Sequence, residues 1–356
     1  MSAGPSSERF GSAIKRFEAW WAGSSLGRPA VYARTRRPDA PPMPDEGRPR
    51  RQREHDPAFH AARARWMLDA FDYHAEAIPG FYPDFANNLT LPAALAGSEL
   101  EYRPETTWMG LVPDIYERGV PAFDPAHPIV RLLDEALAGT AAAIGDRGLL
   151  SPPVLLDGLT TLSMLRGAEA LCMDLFERPA DVLRTSAELD RLAFQAHAFW
   201  WRTLERLGQA QTVTWAGIYA AGKCEMVQCD FAVNLSPEMF GRFVLPRLAE
   251  ATRHFEYSCY HLDGVEQCRF LDQLCSLPRL NAIQWNPEPP AAPPLAWVEF
   301  FQAVRQRGRS LQINCDADTA VALTERLGPD GMLFSVRCKT ADEVARLLER
   351  LEKASA

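Results

Sequence analysis

The stretch Tyr257-Ser-Cys-Tyr-His-Leu-Asp-Gly264 predicts a short buried strand that ends in a histidine, a carboxylate and a glycine. An apolar or aromatic run that delivers polar residues to a turn is typical of parallel α/β folds, which place their chemistry at the carboxyl ends of strands. The pattern recurs in predicted strands at 280–285, 310–315 and 332–336, and helical patterns lie between them. The C-terminal part of the chain therefore predicts four βα units.

Earlier segments fit the same plan. The run Arg28-Pro-Ala-Val-Tyr-Ala-Arg34 predicts a first strand, and 149–156 predicts another that ends at Asp157. Apolar residues at helical spacing from Glu8 to Trp21 predict a helix before the first strand. The α/β alternation favours a single (β/α)8 TIM barrel with an N-terminal helical extension. A doubly wound open sheet is the alternative, but the glycine-rich nucleotide turn expected after its first strand is missing from the sequence.

We divide the chain at residue 55. Residues 1–55 contain the N-terminal helix, the first strand and a loop rich in proline and arginine, and residues 56–356 form the remainder of the single barrel, which begins near residue 28. The loop is expected to be solvated and mobile, because proline and charge together resist packing. The alternative is a lid whose arginines contact an anionic substrate.

Composition and charge exclude several classes of protein. The net charge of −8 argues against a general affinity for nucleic acid or anionic membrane, because neutralising phosphates requires a basic face. The chain shows neither a secretory leader nor an apolar run long enough to cross a bilayer, so we expect a cytoplasmic protein. Its 8 cysteines are scattered and form no CxxC pair, which indicates buried thiols or metal ligands rather than a disulfide scaffold.

Residues able to bind a metal or to carry a proton follow the predicted strands. Because the strand ends of a barrel meet at one rim, residues distant in sequence can share a pocket there, and His, Cys and carboxylate side chains are zinc ligands. Each also has a structural alternative as a packed thiol, a turn cap or a hydrogen-bonded core residue. The candidates are Asp157, Cys229, Asp230, His261, Asp263, Cys315 and Cys338.

Several of these stretches resemble the uroporphyrinogen decarboxylase superfamily. The resemblance covers most of residues 10–352 and implies a (β/α)8 barrel. It also implies one of at least two chemistries, because the superfamily contains both decarboxylases and zinc-dependent methyltransferases. The matching segments are Arg28-Pro29, Asp157-Gly158, 229–240, Tyr260-His-Leu-Asp-Gly264, 280–285 and the segment at Cys338.

The decarboxylase branch carries an Arg-Pro-Pro-Val-Trp run that leads to Met-Arg-Gln-Ala-Gly-Arg. Here Arg28-Pro-Ala-Val-Tyr32 is similar to the first part, whereas 33–37 keeps arginines without the Gln-Ala-Gly core. This branch therefore implies the alternative function, a metal-free decarboxylase or lyase in which Arg34, Arg37 and Asp157 hold a carboxylated small molecule.

The methyltransferase branch moves a methyl group between a corrinoid protein and a thiol such as coenzyme M. Its zinc ligands lie in a His-x-Cys-Gly motif and in a Cys after the last strand. His261, Asp263 and Cys338 stand at the corresponding positions, with Asp263 in place of the middle Cys. The resemblance thus implies zinc bound by these three residues, and Cys229 or Cys315 could complete the set.

The leading expectation is a zinc-dependent methyl or alkyl transferase that activates a thiol substrate. We expect Asp157 or Asp230 to orient the substrate and Arg34 to bind a carboxylate. The sequence lacks the Asp-x-His-x-x-Gly motif of a corrinoid-binding domain, so any corrinoid is expected on a separate protein, or the alkyl donor is a small molecule. A non-catalytic barrel that binds a ligand or partner is the third alternative.

Overall fold

The computed structural model of the protein describes residues 6–86, 90–104, 106–287 and 292–356. The strands are β1 (Ala30–Arg36), β2 (Phe71–Ala75), β3 (Gly80–Phe81), β4 (Leu100–Tyr102), β5 (Thr107–Met109), β6 (Leu149–Leu150), β7 (Thr212–Val213), β8 (Tyr219–Ala220), β9 (Cys224–Gln228), β10 (Tyr257–Asp263), β11 (Ala282–Asn286), β12 (Ser310–Cys315) and β13 (Met332–Val336). The helices are α1 (Ser6–Trp21), α2 (Arg50–Glu54), α3 (Pro57–Ala70), α4 (Leu91–Leu95), α5 (Ile115–Arg118), α6 (Pro128–Ile144), α7 (Gly158–Arg166), α8 (Ala168–Glu177), α9 (Pro179–Arg206), α10 (Pro237–Met239), α11 (Leu245–His254), α12 (Leu271–Cys275), α13 (Val298–Gln306), α14 (Ala317–Leu327) and α15 (Ala341–Ala354).

The central sheet of the described chain is mainly parallel. Its strand order is β2-β1-β13-β12-β11-β10-β9, in which only the edge strand β2 runs antiparallel to its neighbour. The strands β3 and β6 form a separate parallel pair. The four C-terminal strands predicted from apolar runs with polar ends are confirmed as β10–β13, and the N-terminal helix is confirmed as α1.

The architecture is a mixed α/β fold compatible with the predicted TIM-like barrel, but the backbone ladders between described residues do not close a ring. The separate pair is short, because Pro79, Pro152 and Pro153 beside its strands have no N–H to donate to a ladder. Side chains make the next connection, since the Ser151 hydroxyl donates to the Val213 carbonyl and accepts from the Val213 N–H. A closed barrel is therefore not established by hydrogen bonding.

Alternation along the parallel strands separates two apolar clusters. One cluster, which includes Tyr260 and Leu262, packs against the helices. The other includes Cys259 on the opposite face of the same strand and packs against α1, where Phe17 and Trp20 are almost fully buried. The indole of Trp20 donates to the carbonyl of Leu311 at 3.0 Å. Helix α1 thus covers the amino-terminal side of the sheet and leaves the carboxyl ends of the strands for chemistry.

The loop rich in proline and arginine is attached to the rest of the fold at two points. The buried Glu54 in α2 accepts a hydrogen bond from the Ala86 N–H at 2.7 Å. The indole of Trp66 donates to the Pro41 carbonyl at 2.8 Å. These contacts fix both ends of the segment, so it is less detached than its composition predicts.

Candidate metal centre

A cluster of three potential ligands lies at the carboxyl ends of β9 and β10. Asp230, His261 and Asp263 each offer one ligand atom, and these atoms all lie within 4.8 Å of one another. The strand register explains this proximity. Gln228 of β9 pairs with His261 of β10, so Asp230 and Asp263, each two positions further along the chain, lie beside each other. We refer to these three residues as the acidic-histidine cluster.

The His261 ring is held from two directions. Its Nδ1 lies 2.5 Å from Oε1 of Gln284, and its ring packs edge-on against Trp215 with centroids 5.0 Å apart. Its Nε2 lies 3.7 Å from Oδ1 of Asp263, which also accepts from the Asn286 amide at 3.0 Å. The side chains of His261 and Asp263 are 12% and 25% exposed, so small solutes can reach a largely preorganised site.

The donor set suits a divalent cation. One imidazole nitrogen and two carboxylate oxygens are ligand types that zinc accepts, and three protein ligands leave a fourth position for a substrate atom. Two half-buried carboxylates brought together repel each other, and a bound cation would offset that repulsion. Ligand atoms of a tetrahedral zinc site lie about 3.3 Å apart, which small side-chain rotations within the cluster would achieve.

The predicted cysteine ligands do not belong to this cluster. Cys229 is fully buried, lies 3.8 Å from the Thr160 hydroxyl, and has a thiol pKa raised well above its usual value by burial. Cys338 is half-buried and packs against the helix-facing apolar cluster, and burial raises its pKa too. The role of both cysteines as ligands stays a prediction.

Asp157 serves as a helix cap in this structure. Its Oδ1 accepts from the N–H groups of Leu159 and Thr160 at 3.0 and 2.9 Å at the start of α7. Burial raises the pKa of its carboxyl group. It lines a cavity of about 50 Å³ between β9 and the helices α9 and α11, together with Asp190 and His197. The contacts of Asp157 therefore support the structural alternative, in which it caps a turn or helix.

A larger cavity of about 900 Å³ lies beside the acidic-histidine cluster. Gln284 and Trp215, which both contact His261, form part of its wall. Its other lining residues include Tyr32, Arg34, Asn314, Cys315, Arg337 and Cys338. The cluster and this cavity thus share a wall at the carboxyl ends of the strands, which is where a substrate of a parallel α/β enzyme binds.

The predicted arginines have different positions. Arg34 lines the large cavity and lies over the Phe71 ring at 4.9 Å, and it makes no ion pair with the acidic side chains that the structure describes. Arg37 pairs with Asp72 at 2.8 Å and lines a separate cavity. Of these two arginines, Arg34 is the one placed to contact a molecule in the large cavity.

Sequence reasoning missed Gln284 and Trp215 and gave Asp230 a different role. Asp230 was expected to orient a substrate, but the structure groups it with the metal-ligand candidates. Gln284 gave a weak signal as a polar residue inside an otherwise apolar strand. Neither its contact with His261 nor that of Trp215 follows from a local pattern, because both depend on which segments become neighbours.

The helices offer no membrane span, since none in the described ranges is both long and apolar enough to cross a bilayer.

Comparisons with known proteins give a likeness in fold. No family model matches the sequence, and no curated protein matches it. Among solved structures, the chain is similar to a methyltransferase from Methanosarcina mazei with a TM-score of 0.60 and 14% identity, over 97% of this chain and 99% of that one. A weaker match is a mandelate racemase/muconate lactonizing enzyme from Jannaschia sp. CCS1, with a TM-score of 0.37, 15% identity, and 92% and 60% of the two chains covered. The chain therefore resembles the Methanosarcina mazei protein in fold.

Proposed function

We propose that the protein is a metal-dependent methyl or alkyl transferase that activates a small thiol. The observation that carries this proposal is the acidic-histidine cluster, whose three ligand atoms lie within 4.8 Å of one another beside a cavity of about 900 Å³. Zinc is the proposed metal, because it accepts one imidazole and two carboxylates and keeps an open position. The methyltransferase with a similar fold supports the reaction class by analogy only.

The residues of the cluster have distinct roles in this proposal. Zinc, when bound, would lower the pKa of a coordinated thiol so that it reacts as a thiolate at neutral pH. Asp230 and Asp263 balance the charge of the cation, and His261 supplies the neutral donor. Trp215 shields one side of the imidazole and forms the cavity wall against which a substrate packs.

The two cysteine thiols that line the large cavity are poor nucleophiles. Burial raises the pKa of Cys315 to about 12 and also raises the pKa of Cys338, so both cavity-lining cysteines are protonated at neutral pH. This favours a substrate thiol as the group that is alkylated. The proposed alkyl donor is a corrinoid carried on a separate protein or a small alkylated molecule.

One observation favours a second candidate, a metal-free decarboxylase or lyase. Arg34 lines the large cavity, and its guanidinium makes no ion pair with a carboxylate among the described residues. A guanidinium in this position could bind the carboxylate of a substrate. The other two residues expected in that mechanism do not assist it. Asp157 caps a helix, and Arg37 pairs with Asp72 at another cavity.

Metal analysis with matched variants tests the proposal. Protein purified without added metal is expected to contain about one zinc per chain, and the metal should be lost in His261→Gln and Asp263→Asn. Asp318→Asn, at an aspartate whose side chain is 87% exposed, is the control and should keep the metal. Cobalt-substituted protein should develop thiolate-to-cobalt absorption when a small thiol is added. Full activity in protein free of metal would overturn the proposal and favour the lyase.

A further inference from the structure

We infer that Arg34 and Arg337 together bind the phosphate group of a phosphate monoester, so that the substrate thiol is a small phosphorylated molecule. We refer to these two residues as the arginine pair. The substrate class rests on the proposed function, whereas the phosphate site itself is independent of any metal. Arg337 has had no role up to this point, and a carboxylate was the ligand expected for Arg34 alone.

The strand register brings the two arginines side by side. Tyr32 on β1 pairs with Ser335 on β13 in a parallel ladder. Arg34 and Arg337 each follow two residues later, so the same register, continued past the end of β13, brings them next to each other. Residues two apart on a strand face the same side, and all four of these residues line the large cavity. The sheet therefore delivers both guanidinium groups to one space.

The arginine pair makes no ion pair with a carboxylate among the residues that the structure describes. Arg34 lies over the Phe71 ring at 4.9 Å. Asp316 is the one acidic residue that lines the cavity in the described part of the chain, and its Oδ1 accepts from the Thr319 N–H at 2.7 Å as the cap of α14. Two neighbouring cations repel each other, and a bound dianion would offset that repulsion.

A phosphate monoester matches this wall of the cavity better than a carboxylate does. It carries about −1.5 to −2 charges at pH 7 and has three strong acceptor oxygens. Each planar guanidinium can donate two parallel hydrogen bonds to such a group. The hydroxyls of Tyr32 and Ser335, one step lower on the same strands, add neutral donors, and burial raises the pKa of Tyr32, which keeps its hydroxyl protonated. Charge and donor number therefore both favour a dianionic oxyanion.

The same cavity reaches the acidic-histidine cluster. Gln284 and Trp215 form part of its wall, and both contact His261. Strands β12 and β11 lie between β13 and β10, so three strand spacings, about 14 Å, separate the strand that leads to Arg337 from the strand that carries His261. A cavity of about 900 Å³ has room for a small molecule of this length. One phosphorylated thiol can therefore place its phosphate at the arginine pair and its sulfur at the cluster.

Isothermal titration calorimetry with inorganic phosphate at constant ionic strength tests the site. The wild type should bind phosphate about tenfold or more tightly than the monoanion acetate. Arg34→Gln and Arg337→Gln should each weaken phosphate binding by about tenfold or more. Arg326→Gln is the control with the same change of charge, because Arg326 is exposed in the last turn of α14 and does not line this cavity. Both arginines of the pair are exposed, so thermal melts of all three variants should match the wild type.

Three results would overturn the inference. Phosphate affinity that is unchanged in Arg337→Gln, or that falls equally in Arg326→Gln, would show that the arginine pair is not the site. Tighter binding of succinate than of phosphate would assign the pair to a dicarboxylate. His261→Gln should bind phosphate as the wild type does, and loss of binding in this variant would place the phosphate at the metal centre instead.

Cobalt-substituted protein connects the site to the proposed function. Mercaptoethyl phosphate should produce thiolate-to-cobalt absorption at concentrations about tenfold lower than mercaptoethanol, and Arg337→Gln should remove this difference. Equal concentrations in the wild type would overturn the substrate class. No thiolate absorption with either thiol, together with phosphate binding that depends on the arginine pair, would remove the proposed function and still support the phosphate site.

Discussion

Replacing Asp190 with asparagine should stabilise the protein at alkaline pH. Asp190 is 5% exposed, and its Oδ1 accepts from the Gly158 N–H at 2.7 Å. Its Oδ2 is buried without a hydrogen-bond partner in the part of the chain that the structure describes. Burial, reinforced by the nearby Asp157, raises its pKa from 3.8 to about 8. An asparagine side chain at this position would keep the accepting oxygen but could not ionise.

The sign and size of the effect follow from this pKa. Between pH 4 and pH 8 the folded state holds a proton on Asp190 that the unfolded state has released, so the free energy of unfolding falls as pH rises. The slope is at most about 1.4 kcal/mol per pH unit, and water penetration reduces the total to the order of 2–5 kcal/mol. The stability due to the protonated carboxyl is thus fully present near pH 4 and lost by about pH 8.

Urea unfolding followed by circular dichroism at pH 5, 7 and 9 measures the effect. Asp190→Asn should exceed the wild type by no more than about 1 kcal/mol at pH 5 and by several kcal/mol at pH 9. Asp318→Asn, at a largely exposed carboxylate, is the control and should follow the wild type at every pH. Parallel pH profiles for Asp190→Asn and the wild type would refute the reasoning.

Two further predictions concern the framework. Gly158→Ala should reduce the melting temperature strongly, because an added Cβ would lie 2.0 Å from the Ser186 carbonyl oxygen, where α7 meets α9. An unchanged melting temperature would contradict that packing. Glu76→Gln should cost about 3–5 kcal/mol in urea unfolding, because it leaves the buried Arg28 without the carboxylate that now pairs with it at 2.8 Å. Oε2 of Glu76 also accepts from the Val31 N–H at 2.7 Å. A decrease of less than about 1 kcal/mol in the free energy of unfolding would contradict the importance of the Glu76–Arg28 pair.

The sequence predicts well what short-range patterns determine. The run from Tyr257 to Asp263 alternates faces as a strand and ends in polar residues, so both β10 and the location of His261 and Asp263 at its carboxyl end could be predicted. The helical spacing before Trp21 likewise predicted α1. These features depend on the local period of the side chains and on little else.

The rest depends on contacts between distant segments. Asp230 joins His261 because of the register between β9 and β10, and spacing along the sequence does not encode that register. The contact of Gln284 with the imidazole arises from the register between β10 and β11. The strand predicted at 149–156 is confirmed only over β6 (Leu149–Leu150), because Pro152 and Pro153 have no N–H to donate to a ladder, and its pairing with β3 is a contact between distant segments.

The most direct test of the central claim compares zinc content in Asp230→Asn and Cys338→Ser, each purified without added metal and checked for folding. We predict that Asp230→Asn loses the zinc, because it removes one of three ligands, whereas Cys338→Ser retains about one zinc per chain. Loss of zinc in Cys338→Ser with retention in Asp230→Asn would contradict the acidic-histidine cluster as the metal centre.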